Sequence, residues 1–135
     1  MFRPDSKILI VEEMNSVRDV VVNAFKELGF NYLFEAKDIG DAWDRIQGEP
    51  RPFDLVVCNL NMAKTSGMDL LVRIRKTERF KSLPFLMISN QSDQKVILSV
   101  ITAGADHFLV KPFQTTELAD KLKKIHEKRF GSGGK

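Results

Sequence analysis

"VVCNLNM", residues 56–62, decides how the rest of the chain is read. Three apolar residues run toward the carboxyl end of a buried strand, and the pattern breaks at Asn59 into a loop. A single polar side chain stands at that break. Runs of the same kind occur at "KILIV" (7–11), "YLFEA" (32–36), "PFLMIS" (84–89) and "HFLVKPF" (107–113), with "DLVVCNL" as the middle member. Between them the apolar spacing changes to the helical period. Val17, Val20, Val21, Ala24, Phe25 and Leu28 share one face, with Asn15 or Ser16 as cap and Gly29 as stop. Ile39, Ala42, Trp43 and Ile46 mark a second helix, and Leu70, Leu71 and Ile74 a third that opens at Gly67. Val96, Ile97, Val100 and Ile101 mark a fourth that ends at Gly104. Leu118, Leu122 and Ile125 mark a fifth, capped by Thr115 or Thr116.

Strands alternating with helices predict an α/β domain whose parallel sheet is covered on both faces. At 135 residues the chain fits one domain, long enough to bury roughly two-thirds of its unfolded surface. Its 43% hydrophobic and 29% charged content is ordinary for a globular protein, and a formal charge of +3 without a basic stripe argues against nucleic acid as a ligand. No stretch reaches the ~20 apolar residues of a membrane span, and "MFRPDSK" lacks the apolar core of a signal peptide. Cys58, the sole cysteine, reads as a small buried thiol in a reducing, cytoplasmic setting. The domain is expected over 6–130, with "GSGGK" (131–135) a flexible linker or cloning remnant.

In open parallel sheets, ligands bind beyond the carboxyl ends of the strands. Those ends carry Glu12 and Glu13 after the first strand, Asn59 after the third, Ser89 and Asn90 after the fourth, and Lys111 after the fifth. Polar residues are common where any one strand stops. Their convergence from four strand ends, with a lysine followed by proline, is harder to assign to chance.

At this point the chain resembles a known family. "KILIVEE", "FDLVVCNLNMAKTSG", "LPFLMIS" and "AGADHFLVKPF" look like the blocks of the receiver domain of bacterial two-component response regulators, CheY-like, over essentially the whole domain. The resemblance, and not the alternation, implies a doubly wound five-stranded parallel sheet of order 2-1-3-4-5, a flavodoxin/CheY-like three-layer sandwich. It further implies an acidic pair holding Mg²⁺, an aspartate that accepts phosphate, a hydroxyl and a lysine on the phosphoryl oxygens, and an aromatic switch. Glu12 and Glu13 stand at the acidic pair, Asn59 at the acceptor, Ser89 at the hydroxyl, Lys111 at the lysine and Phe108 at the aromatic.

The departures from that pattern carry the functional reading. An acceptor needs a carboxylate oxygen to attack phosphorus in line, and the Asn59 amide is neutral, so it is a degenerate phosphoacceptor position. Losing a unit charge at ~4 Å removes roughly 4 kcal/mol of attraction per cation charge at an effective dielectric of ~20. No metal is therefore expected beyond weak Mg²⁺ at Glu12 and Glu13, and no other cofactor. Lys111, without its aspartate, is expected to pair with Glu12 or Glu13. Ala63, Ser66 and Asn90 depart from the family pattern in the same neighbourhood, as natural divergence would produce. Trp43 reads as core, and His107 and His126 as exposed without metal-ligand spacing.

The expected function is an atypical receiver of a two-component or chemotaxis-type system, not an enzyme, acting by phosphorylation-independent protein–protein interaction. Its surface would be the fourth helix, fifth strand and fifth helix, with Lys95, His107, Lys121 and Lys124 as contacts. Its partner would be a histidine kinase, motor or output protein, with no nucleic acid and no membrane. One alternative is a conventional switch that uses Glu13 or Ser89 as acceptor. Another is an FMN-binding flavodoxin-like protein or a phosphatase; "EEMNSV" lacks a phosphate cradle, and a phosphatase would need a carboxylate at position 59.

Overall fold

Alternating apolar strands and amphipathic helices give β1 (Lys7–Val11), α1 (Asn15–Glu27), β2 (Tyr32–Ala36), α2 (Ile39–Gly48), β3 (Leu55–Asn59), α3 (Gly67–Lys76), β4 (Phe85–Ser89), α4 (Gln94–Thr102), β5 (His107–Val110) and α5 (Thr115–Phe130). They are seen in a computed structural model that describes residues 1–131. The expectation of a flexible tail falls, beyond Gly131, outside the described residues. All four strand pairings are parallel, in the order β2-β1-β3-β4-β5. The sheet is the one the resemblance implies.

Alternation along each strand sends side chains to two separate cores. Leu9, Val11, Val56, Cys58, Phe85, Met87 and Phe108 face α2, α3 and α4, where they meet Ile46, Leu70, Leu71, Ile74 and Val100. Ile8, Ile10, Leu55, Val57, Leu86, Ile88 and Leu109 face α1 and α5, where they meet Val21, Phe25, Leu118, Leu122 and Ile125. β1 and β4 are buried from end to end, as is β3 up to the half-buried Asn59. β2, an edge strand with polar positions, is buried only at Ala36. Full burial of a Leu, Ile or Phe side chain contributes about 1.5–3 kcal/mol, and the two cores supply most of the driving force.

Several helix details differ from the sequence expectation. The cap of α1 is Met14, whose thioether makes no capping bond, and its backbone N–H donates to the Glu12 carboxylate at 2.8 Å. Val20 is 64% exposed, and Val22 is buried instead. The apolar stripe of α1 is wider than the sheet and α5 can cover, so Val17 and Val20 line an open groove beside Pro112 and Phe113. The cap of α5 is Gln114, whose N–H donates to the Glu117 carboxylate at 2.9 Å, not Thr115 or Thr116. On α4 only Val100 is fully buried; Ile101 is exposed, because this nine-residue helix lies over the sheet edge. A short 3-10 turn at Glu78–Phe80 was not anticipated. It sets Phe80 edge-on to Trp43 at 5.9 Å. Phe2, ahead of residue 6, is buried against His126 and Phe130.

Candidate functional site

Parallel strands end together, so the carboxyl ends of β1, β3, β4 and β5 deliver their polar residues to one edge. There Glu12, Glu13, Asn59, Asn61, Asn90 and Lys111 line a cavity of about 200 Å³, with Met14 and Val17 as its apolar wall. Gly67 lets α3 start directly against the end of β3. A Cβ on it would lie 2.7 Å from the Asn59 carbonyl oxygen and 2.8 Å from Met87 Sδ. Leu60 N–H to Ile88 O and Gly67 N–H to Leu60 O lock the loop after Asn59 to its neighbours.

The amide of Asn59 is the centre of the site. Its Nδ2 donates to Glu12 Oε1 at 2.5 Å and to the Asn61 carbonyl at 2.9 Å. Two oxygens thus converge on one neutral donor. Glu12 is only 3% exposed, and its other oxygen receives the Met14 N–H. Lys111 Nζ lies 3.9 Å from Glu12 Oε1, an ion pair without a direct hydrogen bond. Of the two glutamates expected to meet Lys111, Glu12 is the one brought to it. Glu13 turns away, and both its oxygens accept the Ala63 N–H at 2.8 and 2.9 Å.

Ser89 is fully buried at the end of β4. Its hydroxyl donates to Asn61 Oδ1 at 2.7 Å and accepts from Gln91 N–H at 3.0 Å. Phe108 is buried in the core beneath α4. Asn90 stands exposed at the rim of the cavity. Burial, reinforced by the nearby Glu12 charge, pushes the Cys58 thiol far above its ordinary range, so it stays protonated and inert.

These oxygens do not fit a divalent cation as they stand. Each carboxylate oxygen of Glu12 and Glu13 already has a protein donor, and Asn59 presents its NH₂ where a third carboxylate would be needed. Among the described residues, no three His, Cys, Asp or Glu side chains are grouped to hold a metal ion.

Two residues important to this site were not singled out from the sequence. Asn61 bridges Asn59 and Ser89, and Arg18 donates to the Glu12 carbonyl at 2.7 Å while pairing with Glu35. The only sequence signal for Asn61 is its position two residues past Asn59 in the same loop. Both histidines, expected to be exposed, are half-buried. His107 lies beside α5, where burial and then the charges of Lys121 and Lys124 hold its pKa below the ordinary value. His126 packs on Phe2 with ring centroids 5.1 Å apart.

A family model for the response regulator receiver domain matches residues 8–123. The chain is 39% identical over 122 residues to the chemotaxis protein CheY-3 of Vibrio cholerae, covering 90% of this chain and 92% of that one. It is 35% identical over 125 residues to the chemotaxis protein CheY of Pseudomonas aeruginosa, covering 93% and 99%. The structure is similar to that of Vibrio cholerae CheY4, with a TM-score of 0.80 and 25% identity over 90% of this chain and 98% of that one. A receiver domain protein of Clostridium thermocellum shares the fold, with a TM-score of 0.79 and 21% identity over 91% and 96%. Among the described residues no helix is long and apolar enough to cross a membrane. Sheet order, family model and relatives agree: the chain belongs to the response regulator receiver domain family, homologous to CheY, and is a signalling protein of the two-component and chemotaxis type rather than an enzyme.

Proposed function

We propose that this chain is a pseudo-receiver: a cytoplasmic signalling module, spanning 6–130, that keeps the receiver scaffold and works without aspartyl phosphorylation. The observation that carries the reading is the Asn59 amide, which occupies the acceptor position and spends its nitrogen on Glu12 and Asn61. A neutral carboxamide has no oxygen basic enough to take a phosphoryl group. The alternative acceptors are also engaged. The Ser89 hydroxyl is buried and bonded on both sides, and both Glu13 oxygens are held by the Ala63 amide. Lys111 beside Glu12 supports a pocket whose buried carboxylate has a resident counterion.

CheY-like receivers interact with kinases and motor proteins. Here the recognition surface is assigned to α4, β5 and α5. Leu98, 66% exposed, and Ile101 give that surface an apolar centre, Lys95, Lys121 and Lys124 give it a basic border, and His107 stands beside them as a neutral contact. A mostly apolar patch with cationic edges suits a protein partner with an acidic rim. A histidine kinase, a motor component or an output protein fits this description; nucleic acid and membrane do not. The burial of Phe108 in the core is what an aromatic switch in its inward setting would show.

The test is incubation of the whole chain with acetyl phosphate and Mg²⁺, followed by intact-mass measurement. The expected spectrum contains only the unmodified mass. A stoichiometric phosphoryl adduct would sink the reading.

A further inference from the structure

The Ser89 hydroxyl is one link in a chain of contacts that leaves the pocket. A hydroxyl carries one hydrogen and two lone pairs. Here the hydrogen goes to Asn61 Oδ1, and a lone pair receives the Gln91 N–H. Asn61 is itself fixed from two sides. Its carbonyl accepts from Asn59 Nδ2, and its backbone forms a bridge with Ser66 at the start of α3. Beyond Gln91, Asp93 caps α4 by accepting the Lys95 N–H at 2.7 Å. Side-chain bonds therefore run from the buried Glu12 through Asn59, Asn61 and Ser89 to the loop that starts α4.

We propose that the Asn61 side chain is a resident latch, a positioning residue that ties the pocket to the approach of α4. Its amide oxygen takes the Ser89 hydroxyl in the place that a phosphoryl oxygen takes in phosphorylatable receivers. Resting on the phosphate-free reading of the pocket, the latch explains how the α4–β5–α5 surface holds one arrangement when no phosphate arrives. The link is short and local: one side chain on β4, one in the β3–α3 loop and one backbone amide ahead of α4. Asn61 is exposed and contributes little to the core, so removing its side chain loosens the link without threatening the fold.

The experiment is residue-resolved amide hydrogen exchange on the full chain, comparing the parent with Asn61→Ala, Asn61→Asp, Ser89→Ala and the Asn61→Ala/Ser89→Ala double variant. Asn61→Ala should speed exchange at Gln91 and Lys95 about five- to tenfold, the effect of one net hydrogen bond, while core amides such as Met87 keep the parent rate. Asn61→Asp retains an acceptor oxygen and should keep Gln91 and Lys95 near parent rates. The double variant should match Ser89→Ala alone, because the two side chains share one interaction. Parent-like exchange at Gln91 and Lys95 in Asn61→Ala overturns the latch, as would independent addition of the two single effects. Neither result bears on the acetyl phosphate experiment. A phosphoryl adduct there removes the latch's standing as phosphate substitute together with the phosphate-free reading, so the two failures are told apart.

Discussion

Position 59 shows what a single atom type decides. With an amide, the nitrogen satisfies Glu12 Oε1 and the Asn61 carbonyl at once. With a carboxylate, an oxygen would face Glu12 at close range, and both acceptors would lose their donor. Asn59→Asp is therefore expected to destabilise the metal-free protein by about 1–3 kcal/mol, the scale for a buried group left without its partner. It should also create a Mg²⁺ dependence, because a cation can then neutralise the paired carboxylates. Mg²⁺ at 100 times its Kd would return about 2.7 kcal/mol. Urea unfolding of the variant with and without Mg²⁺ checks this, and equal midpoints would refute it. Lys111 is the counterion to Glu12 at 3.9 Å and remains partly open to solvent. Lys111→Ala should cost about 1–2 kcal/mol, less than the loss of a fully buried partner, since water can reach the cation side. An unchanged urea midpoint would mean that the pair holds nothing.

Among the elements, the junction of β3 with α3 is the tightest. Ser66 caps α3 in a reciprocal box with Asp69, and Gly67 then passes against the Asn59 carbonyl and Met87 with no room for a methyl group. Gly67→Ala must push α3 away from the end of β3. Overpacking of this kind costs about 1–3 kcal/mol. Its signature should be local: thermal unfolding falls, and the amide signals of residues 59–67 shift more than those of α1 or α5. A variant as stable as the parent would show that α3 is free to slide. The same junction explains why Asn61 reaches Ser89, since the Asn61–Ser66 bridge holds the loop closed over the pocket.

At the scale of the molecule, the end of the sheet opposite the pocket is fastened by Asp106. Its side chain is inaccessible to solvent and takes the Phe85 N–H at 2.8 Å, Arg129 Nε at 2.8 Å and Arg75 at 3.3 Å, with Lys128 at 3.4 Å. One carboxylate thus joins α3, β4, β5 and the last turn of α5. Asp106→Ala leaves two guanidinium groups and a buried N–H without their anion, a loss of about 3–5 kcal/mol. Chemical denaturation measures it directly. Faster proteolysis at the carboxyl end of α5 should accompany the loss, and a penalty below 1 kcal/mol would count against the staple.

The alternation of strands and helices was legible in the residues themselves, whereas the order of the strands in the sheet came with the family resemblance. Continuous apolar runs such as "LVVCN" mark strands covered on both faces, 3.6-period stripes such as that of α3 mark one apolar helix face, and four strand ends already carried polar residues of the site. Which stripe residues are buried was less legible, as Val20, Val22 and Ile101 show, because burial depends on what a neighbouring element covers. Asn61 and Asp106 were silent for a different reason. An asparagine in a loop and an aspartate before a strand look like ordinary turn residues until distant segments arrive, and only then does each acquire partners 28 or 21 residues away along the chain. Local sequence determines which faces are apolar and where the strands stop. Hydrogen bonds between segments far apart in the chain are decided when the sheet and helices pack, because a short side chain gains a partner only through the position of its backbone.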